Sequence, residues 1–223
     1  MLANALNRRV RKVPAWPIYV VGAALPVWLF WQAASGGLGV DPVKAVEHTL
    51  GLWGLKLIVA GLCITPLRRF AGVNLIKYRR AIGLTTFFYI LLHLLAWLVL
   101  DMGMLWRQAL GDVVKRPYIT IGMIGLTAMI PLAVTSNNWS VRRMGAARWQ
   151  KWHRLTYLAA IAGALHYLWL VKAWPLAPIL YVAAVGALLG LRLVPGGRKN
   201  RTPIPAPATG SQVNQQVATI LVV

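Results

Sequence analysis

Residues 81–100 read AIGLTTFFYILLHLLAWLVL, twenty positions with one histidine and no charged side chain. At about 1.5 Å rise per residue such a run forms a helix about 30 Å long, the thickness of a bilayer's hydrocarbon core. Five comparable apolar runs surround it: Trp16–Trp31, Leu50–Leu67, Tyr118–Val134, Trp152–Val171 and Trp174–Val194. The chain is 58% hydrophobic and 13% charged, which leaves too little polar surface to cover a water-soluble core of 223 residues. Backbone polar groups in lipid must be satisfied within the segment, so runs of this length are read as helices. The expected fold is an all-α integral membrane protein, a bundle of six transmembrane helices. A basic N-terminus occupies 1–13, the membrane domain 14–195, and a flexible tail rich in Pro, Ala, Gln and Thr 196–223. Pro26 and Pro131 fall inside two of the runs, where they are tolerable and can kink a helix. No internal repeat is evident.

The net charge of +20 raises nucleic-acid binding as a class. Its distribution argues against it, because Lys and Arg fall in short clusters between apolar runs. Counted by connection, 18 belong to the N-terminus, the second and fourth loops and the C-terminal region. The other six (Lys44, Lys56, Arg107, Lys115, Arg116 and Lys172) accompany all four acids, Asp41, Glu47, Asp101 and Asp112. By the positive-inside rule both termini are expected in the cytoplasm. The RRVRK stretch before the first run imitates a secretory signal, but the long run from Trp16 to Trp31 reads as an uncleaved span. Trp16, Trp31, Trp106, Trp139, Trp149, Trp152 and Trp174 stand near the ends of spans, where indole rings favour the headgroup region.

Chemistry is confined to few residues. Cys63 is the single cysteine, which excludes an intrachain disulfide and a C-x-x-C-H attachment, so any haem is non-covalent. Three of the four histidines, His93, His153 and His166, lie in or beside apolar runs. Ionisable groups at that depth usually face a cavity, a cofactor or a partner, and neutral imidazole is a common axial ligand of haem iron. The third and fifth spans run in the same direction. His93 is the thirteenth residue of its run and His166 the fifteenth, so they share a height and can clamp one haem from opposite faces. The alternatives are a polar helix–helix contact or a proton relay. His153 precedes His166 by 13 residues, about 20 Å of helix, so it belongs either to a second cofactor or to the interface beside Trp152 and Arg154. His48, in DPVKAVEHTLG, is expected outside before the second span, either as an ordinary loop residue or as part of an external electron-transfer surface. No G-x-G-x-x-G follows a strand, GGLGV at 36–40 is a loop glycine cluster, and there is no H-E-x-x-H or nucleophile elbow. Reducing equivalents must come from elsewhere.

The segments GGLGVDPVKAVEHTLG (36–51), KYRRAIGLTTFFYILLHLLAW (77–97), KRPYITIGMIG (115–125) and WQKWHRLTYLAAIAGALHYLWLVK (149–172) together resemble one family. It is the haem-binding membrane subunit of the bacterial periplasmic methionine-sulfoxide reductase system, within the ferric-reductase-like transmembrane group. The resemblance implies an inner-membrane cytochrome b that draws electrons from the quinone pool. It would deliver them to a periplasmic molybdopterin-containing catalytic subunit that repairs oxidised methionine. It also implies b haem, with FMN attributed to the family, and matches the family's haem-associated histidines to His93, His153 and His166. Relatives with NADPH oxidase activity carry paired histidines on the third and fifth spans. Here Arg79 stands 14 residues before His93, a departure from a two-haem stack, and Arg79 and Arg80 read as orienting charges able to pair with propionate or flavin phosphate. The rival readings are a ferric-reductase or oxidase-type cytochrome and a cofactor-free proton-coupled transporter.

Overall fold

The computed structural model describes residues 2–194 except Lys172 and Trp174. The expected tail at 196–223 and the Trp174 start of the last apolar run lie outside the described residues. Those described form ten α-helices and no strand: α1 (Leu2–Lys12), α2 (Trp16–Ala34), α3 (Pro42–Phe70), α4 (Arg79–Leu95), α5 (Trp106–Lys115), α6 (Pro117–Val134), α7 (Asn138–Met144), α8 (Ala146–Trp152), α9 (Leu155–Leu170) and α10 (Leu176–Leu193). A 3₁₀ turn at Ile76–Tyr78 leads into α4, and a π-helical turn at Ala96–Asp101 continues it. Five segments are long and apolar enough to cross a membrane: α2, α3, residues 76–101, α6 and α10. The chain is a multi-pass membrane protein. At 16 residues, α9 is shorter than any of these five segments.

Helix starts follow local chemistry. Pro42 and Pro117 take the first position of α3 and α6, where a missing N–H costs nothing. Asp41 caps α3 by accepting a hydrogen bond from the Lys44 amide at 3.0 Å. This cap starts α3 eight residues before the apolar run at Leu50, so His48, expected in a loop, lies in the second turn of a helix. The run expected from Trp152 is also corrected. The chain turns at His153 and Arg154 between α8 and α9, so His153 and His166 do not share one helix. The basic N-terminus is helical as well: Asn7 of α1 donates to the Gly72 carbonyl, and its side-chain oxygen accepts from the Asn74 amide.

The core lies where α3 packs on α4 and α6 packs on α9. Small residues permit close approach, as is usual between helices in lipid. Ala159, Ala160, Ala162 and Ala164 are buried along α9, and a Cβ on Gly125 of α6 would come 3.1 Å from that of Ala162. Leu55, Ile58, Leu62 and Met129 fill the centre, and α10 covers α9 and α3. The acids gather at the end where α3 begins and α4 finishes. Lys56, midway along α3, carries its ammonium over the Trp53 ring, one turn towards that same end.

Candidate functional site

Between α3, α4, α6 and α9 lies a cavity of about 720 Å³, within the range of a small-ligand or cofactor site. Leu55, Ile58, Leu126 and Met129 line its deep end, while Lys44, Asp101 and Arg116 stand at its mouth. The π-helical turn opens α4 just after His93, and Trp97 and Asp101 both line the cavity with it. Such turns widen the helix by one residue and occur often at functional sites. The turn brings Asp101 to Lys44, with Nζ to Oδ2 at 2.9 Å, and Lys44 also reaches Glu47 at 3.5 Å. On the other side of the mouth Arg116 pairs with Asp112 at 3.4 Å and donates to the Tyr118 hydroxyl at 3.1 Å.

His93 and His166 meet across this cavity, with ring centroids 6.1 Å apart and ring planes crossed at 78°. Each Nδ1 donates to a backbone carbonyl of a neighbouring helix: His93 to Glu47 of α3 at 2.8 Å, His166 to Tyr118 of α6 at 2.7 Å. A carbonyl only accepts, so both rings carry their proton on Nδ1 and keep Nε2 as a free lone pair. Metal-ligating histidines are oriented in this way. With metal–nitrogen bonds of about 2.0 Å, as for zinc, and each ring centre about 1.1 Å behind its nitrogen, an ion held between two imidazoles separates their centroids by about 6 Å. The spacing therefore fits one metal with an imidazole on each side. Among the described residues no group of three or more His, Cys, Asp or Glu is placed to hold a bare ion. A metal here would bring its remaining ligands with it, as the centre of a planar macrocycle does.

The walls repeat. Residues 47–55, EHTLGLWGL, and 118–126, YITIGMIGL, share Thr, Gly, Gly and Leu at matching places, 71 positions apart. In each, the first residue offers the carbonyl and the glycine four positions later, Gly51 or Gly122, lies against the imidazole. The histidine-bearing helices match too, with LHLL at 92–95 and LHYL at 165–168. The expectation of no internal repeat is thus corrected, since α3–α4 and α6–α9 are two versions of one histidine-bearing hairpin.

His153 is not part of this arrangement. It sits in the turn before α9, its Nδ1 bonds to the Trp149 carbonyl one turn back at 3.1 Å, and its ring stacks on Trp149 at 3.7 Å. Its Nε2 is buried without a hydrogen-bond partner. Burial, and after it the charges of Arg79 and Arg80, hold this imidazole below its ordinary pKa. His48, by contrast, lines the cavity. The signal that would have found it is the Asp41–Pro42 pair, a helix cap followed by a first-position proline.

The family model described as "Ferric reductase like transmembrane component" matches residues 50–164. Relatives named "Protein-methionine-sulfoxide reductase heme-binding subunit MsrQ" are similar over most of their length. That of Brucella anthropi is 47% identical over 192 residues, covering 86% of this chain and 87% of the relative. That of Agrobacterium fabrum is 48% identical over 85% of this chain and 88% of its own, and that of Brucella ovis 44% over 92% and 96%. With a model match across half of its length and relatives this similar over most of theirs, the chain belongs to the MsrQ family of the ferric-reductase-like transmembrane group.

Proposed function

We propose that this protein is the membrane cytochrome b of a methionine-sulfoxide reductase system, with one b haem held by His93 and His166. The observation that carries the reading is the pair of imidazoles 6.1 Å apart, each tied by Nδ1 to another helix's carbonyl. Bound there, haem supplies one-electron oxidation and reduction. The chain's own part is to orient and insulate. The carbonyls of Glu47 and Tyr118 hold the rings in one tautomer, which keeps Nε2 directed into the cavity and raises its basicity. Leu55, Ile58, Leu126 and Met129 keep water from the deep end, so the surroundings have a low dielectric and a low reorganisation cost.

In this reading α9 is the sixth span and both termini are cytoplasmic, in the inner membrane. The cavity mouth with Lys44, Asp101 and Arg116 then faces the periplasm, where the molybdopterin-containing catalytic subunit takes the electrons and carries out the sulfoxide chemistry. The quinone pool is the donor on the resemblance. His153, whose unpartnered Nε2 lies at the opposite end near Arg79 and Arg80, is the proposed contact of a second cofactor, a further haem or the FMN that the resemblance implies.

The test is a reduced-minus-oxidised visible spectrum with haem quantified per chain, for detergent-purified protein and its His93→Ala, His166→Ala and His153→Ala variants. A bis-histidine b-type spectrum lost in the first two supports the reading, and its retention in His93→Ala defeats it. The match to a ferric-reductase-like model favours one second reading, in which electrons pass to external ferric iron. Faster reduction of ferric chelates than of the periplasmic partner would select that alternative. A well-folded, haem-free protein would select a cofactor-free transporter.

A further inference from the structure

We propose that Gly51 and Gly122 are positioning residues that set the planes of the two imidazoles. The proposal rests on the haem reading above. In an α-helix the carbonyl of residue i faces the amide of residue i+4. The carbonyls that hold the histidines belong to Glu47 and Tyr118, so the residues beside them are Gly51 and Gly122. Each histidine adds a second hydrogen bond to a carbonyl already engaged in its helix, and must lie flat against that helix to do so. A Cβ at either place would crowd the ring out of that position. A Cβ on Gly51 would fall 3.1 Å from His93 Nδ1 and 3.2 Å from its Cε1. On Gly122 it would fall 2.9 Å from His166 Nδ1 and 3.2 Å from Cε1. The atom displaced is in both cases the nitrogen that makes the orienting bond.

Neither glycine is required by backbone conformation, since both lie within helices and neither has a positive φ. Neighbouring glycines on the same helices meet other atoms. Gly54 faces the tip of Ile90 and Gly125 faces Ala162. Two helices thus place a missing Cβ at the one spot that controls an imidazole, and the two clamps together cross the rings at 78°. Ring orientation has an electronic consequence. Crossed axial imidazoles leave two iron d orbitals nearly degenerate and give a strongly anisotropic low-spin EPR signal, whereas parallel rings give an ordinary rhombic one.

The experiment is low-temperature EPR, redox titration and haem affinity on the detergent-purified full chain and its Gly51→Ala, Gly122→Ala and Gly22→Ala variants. Gly22→Ala is the packing control: its Cβ would meet Thr85 Cγ2 of α4 at 2.5 Å, a tighter contact that involves no histidine. The native protein is expected to give the crossed-ring signal. Gly122→Ala, and less strongly Gly51→Ala, should shift it towards the rhombic form and move the potential, with haem affinity about 10- to 100-fold lower, as for lost outer-shell partners. Gly22→Ala should lower thermal stability and leave the signal's shape unchanged. A rhombic native signal overturns the proposal, as do alanine variants with native EPR and potential, or a Gly22→Ala variant that changes the signal as much as Gly122→Ala. Absence of haem from the native protein would instead defeat the cytochrome reading itself.

Discussion

His93 and His166 on one hand, and His153 on the other, all bond a backbone carbonyl through Nδ1, yet they have different positions in the fold. The first two reach carbonyls 46 and 48 positions away, on another helix. His153 reaches a carbonyl four positions back in its own turn. A long-range bond pins the ring across a helix interface and turns Nε2 into the space between helices. A local bond is satisfied wherever the turn goes and directs nothing. His153 accordingly stacks on Trp149 instead of facing the cavity. Depth in an apolar run, which made all three histidines candidates, does not separate them, whereas the origin of the acceptor does.

The contrast is broken most severely at the cavity. His93→Ala or His166→Ala is expected to remove the bis-histidine b-type signal from the purified protein, because one proposed axial ligand and one interhelical hydrogen bond vanish together. Either variant retaining a native difference spectrum would put the two histidines on a level with His153. His153→Ala should leave the bis-histidine spectrum intact and cost about 1 kcal/mol or less in detergent unfolding, mostly lost stacking on Trp149.

This division was only partly legible in the sequence. Five of the six expected spans were, because lipid leaves the backbone no alternative to helices and makes a run such as 81–100 unmistakable. The similar heights of His93 and His166 were also readable, because that inference needs only helical rise and direction. The start of α3 was missed because Asp41 and Pro42 are a polar signal ahead of the apolar run. The run from Trp152 concealed a turn at His153, since Trp152, Leu155 and Tyr157 read as apolar whether or not the helix is continuous. The histidine clamps were hidden for another reason. Their acceptors are main-chain oxygens, which leave no mark on residue identity, so Glu47 and Tyr118 differ as side chains while doing the same thing.

Smaller effects sharpen the comparison at the mouth. Lys44→Met removes the cation that bridges Glu47 and Asp101, and the Glu47 side chain is only 12% exposed. The variant should lose about 1–2 kcal/mol of stability, as for a partly buried group left unpaired. It should retain bound haem, because the Glu47 carbonyl and not its carboxylate holds His93. Haem loss comparable to His93→Ala would show that the ion pairs, and not the carbonyls, secure the clamp.

The smallest effect is one of pH. The folded-state pKa of His153 is lowered, so the folded chain binds that proton less readily than the unfolded chain. Its contribution to stability is thus full above the ordinary histidine pKa of about 6.5 and falls as pH drops below it. A detergent-unfolding series between pH 7.5 and pH 5.5, chosen to bracket about 6.5, should show this decline in the native protein and a flatter profile in His153→Gln. Identical slopes would remove the burial argument for His153.

The repeated hairpin has a consequence for how little must be specified to make this cavity. One design, a helix that presents a carbonyl and a bare glycine to a histidine on its antiparallel neighbour, is written once across 47–93 and again across 118–166. Each pair of helices supplies one wall and the imidazole it orients, and the two pairs together enclose the cavity. The fold encodes its central chamber in half the instructions that its length suggests.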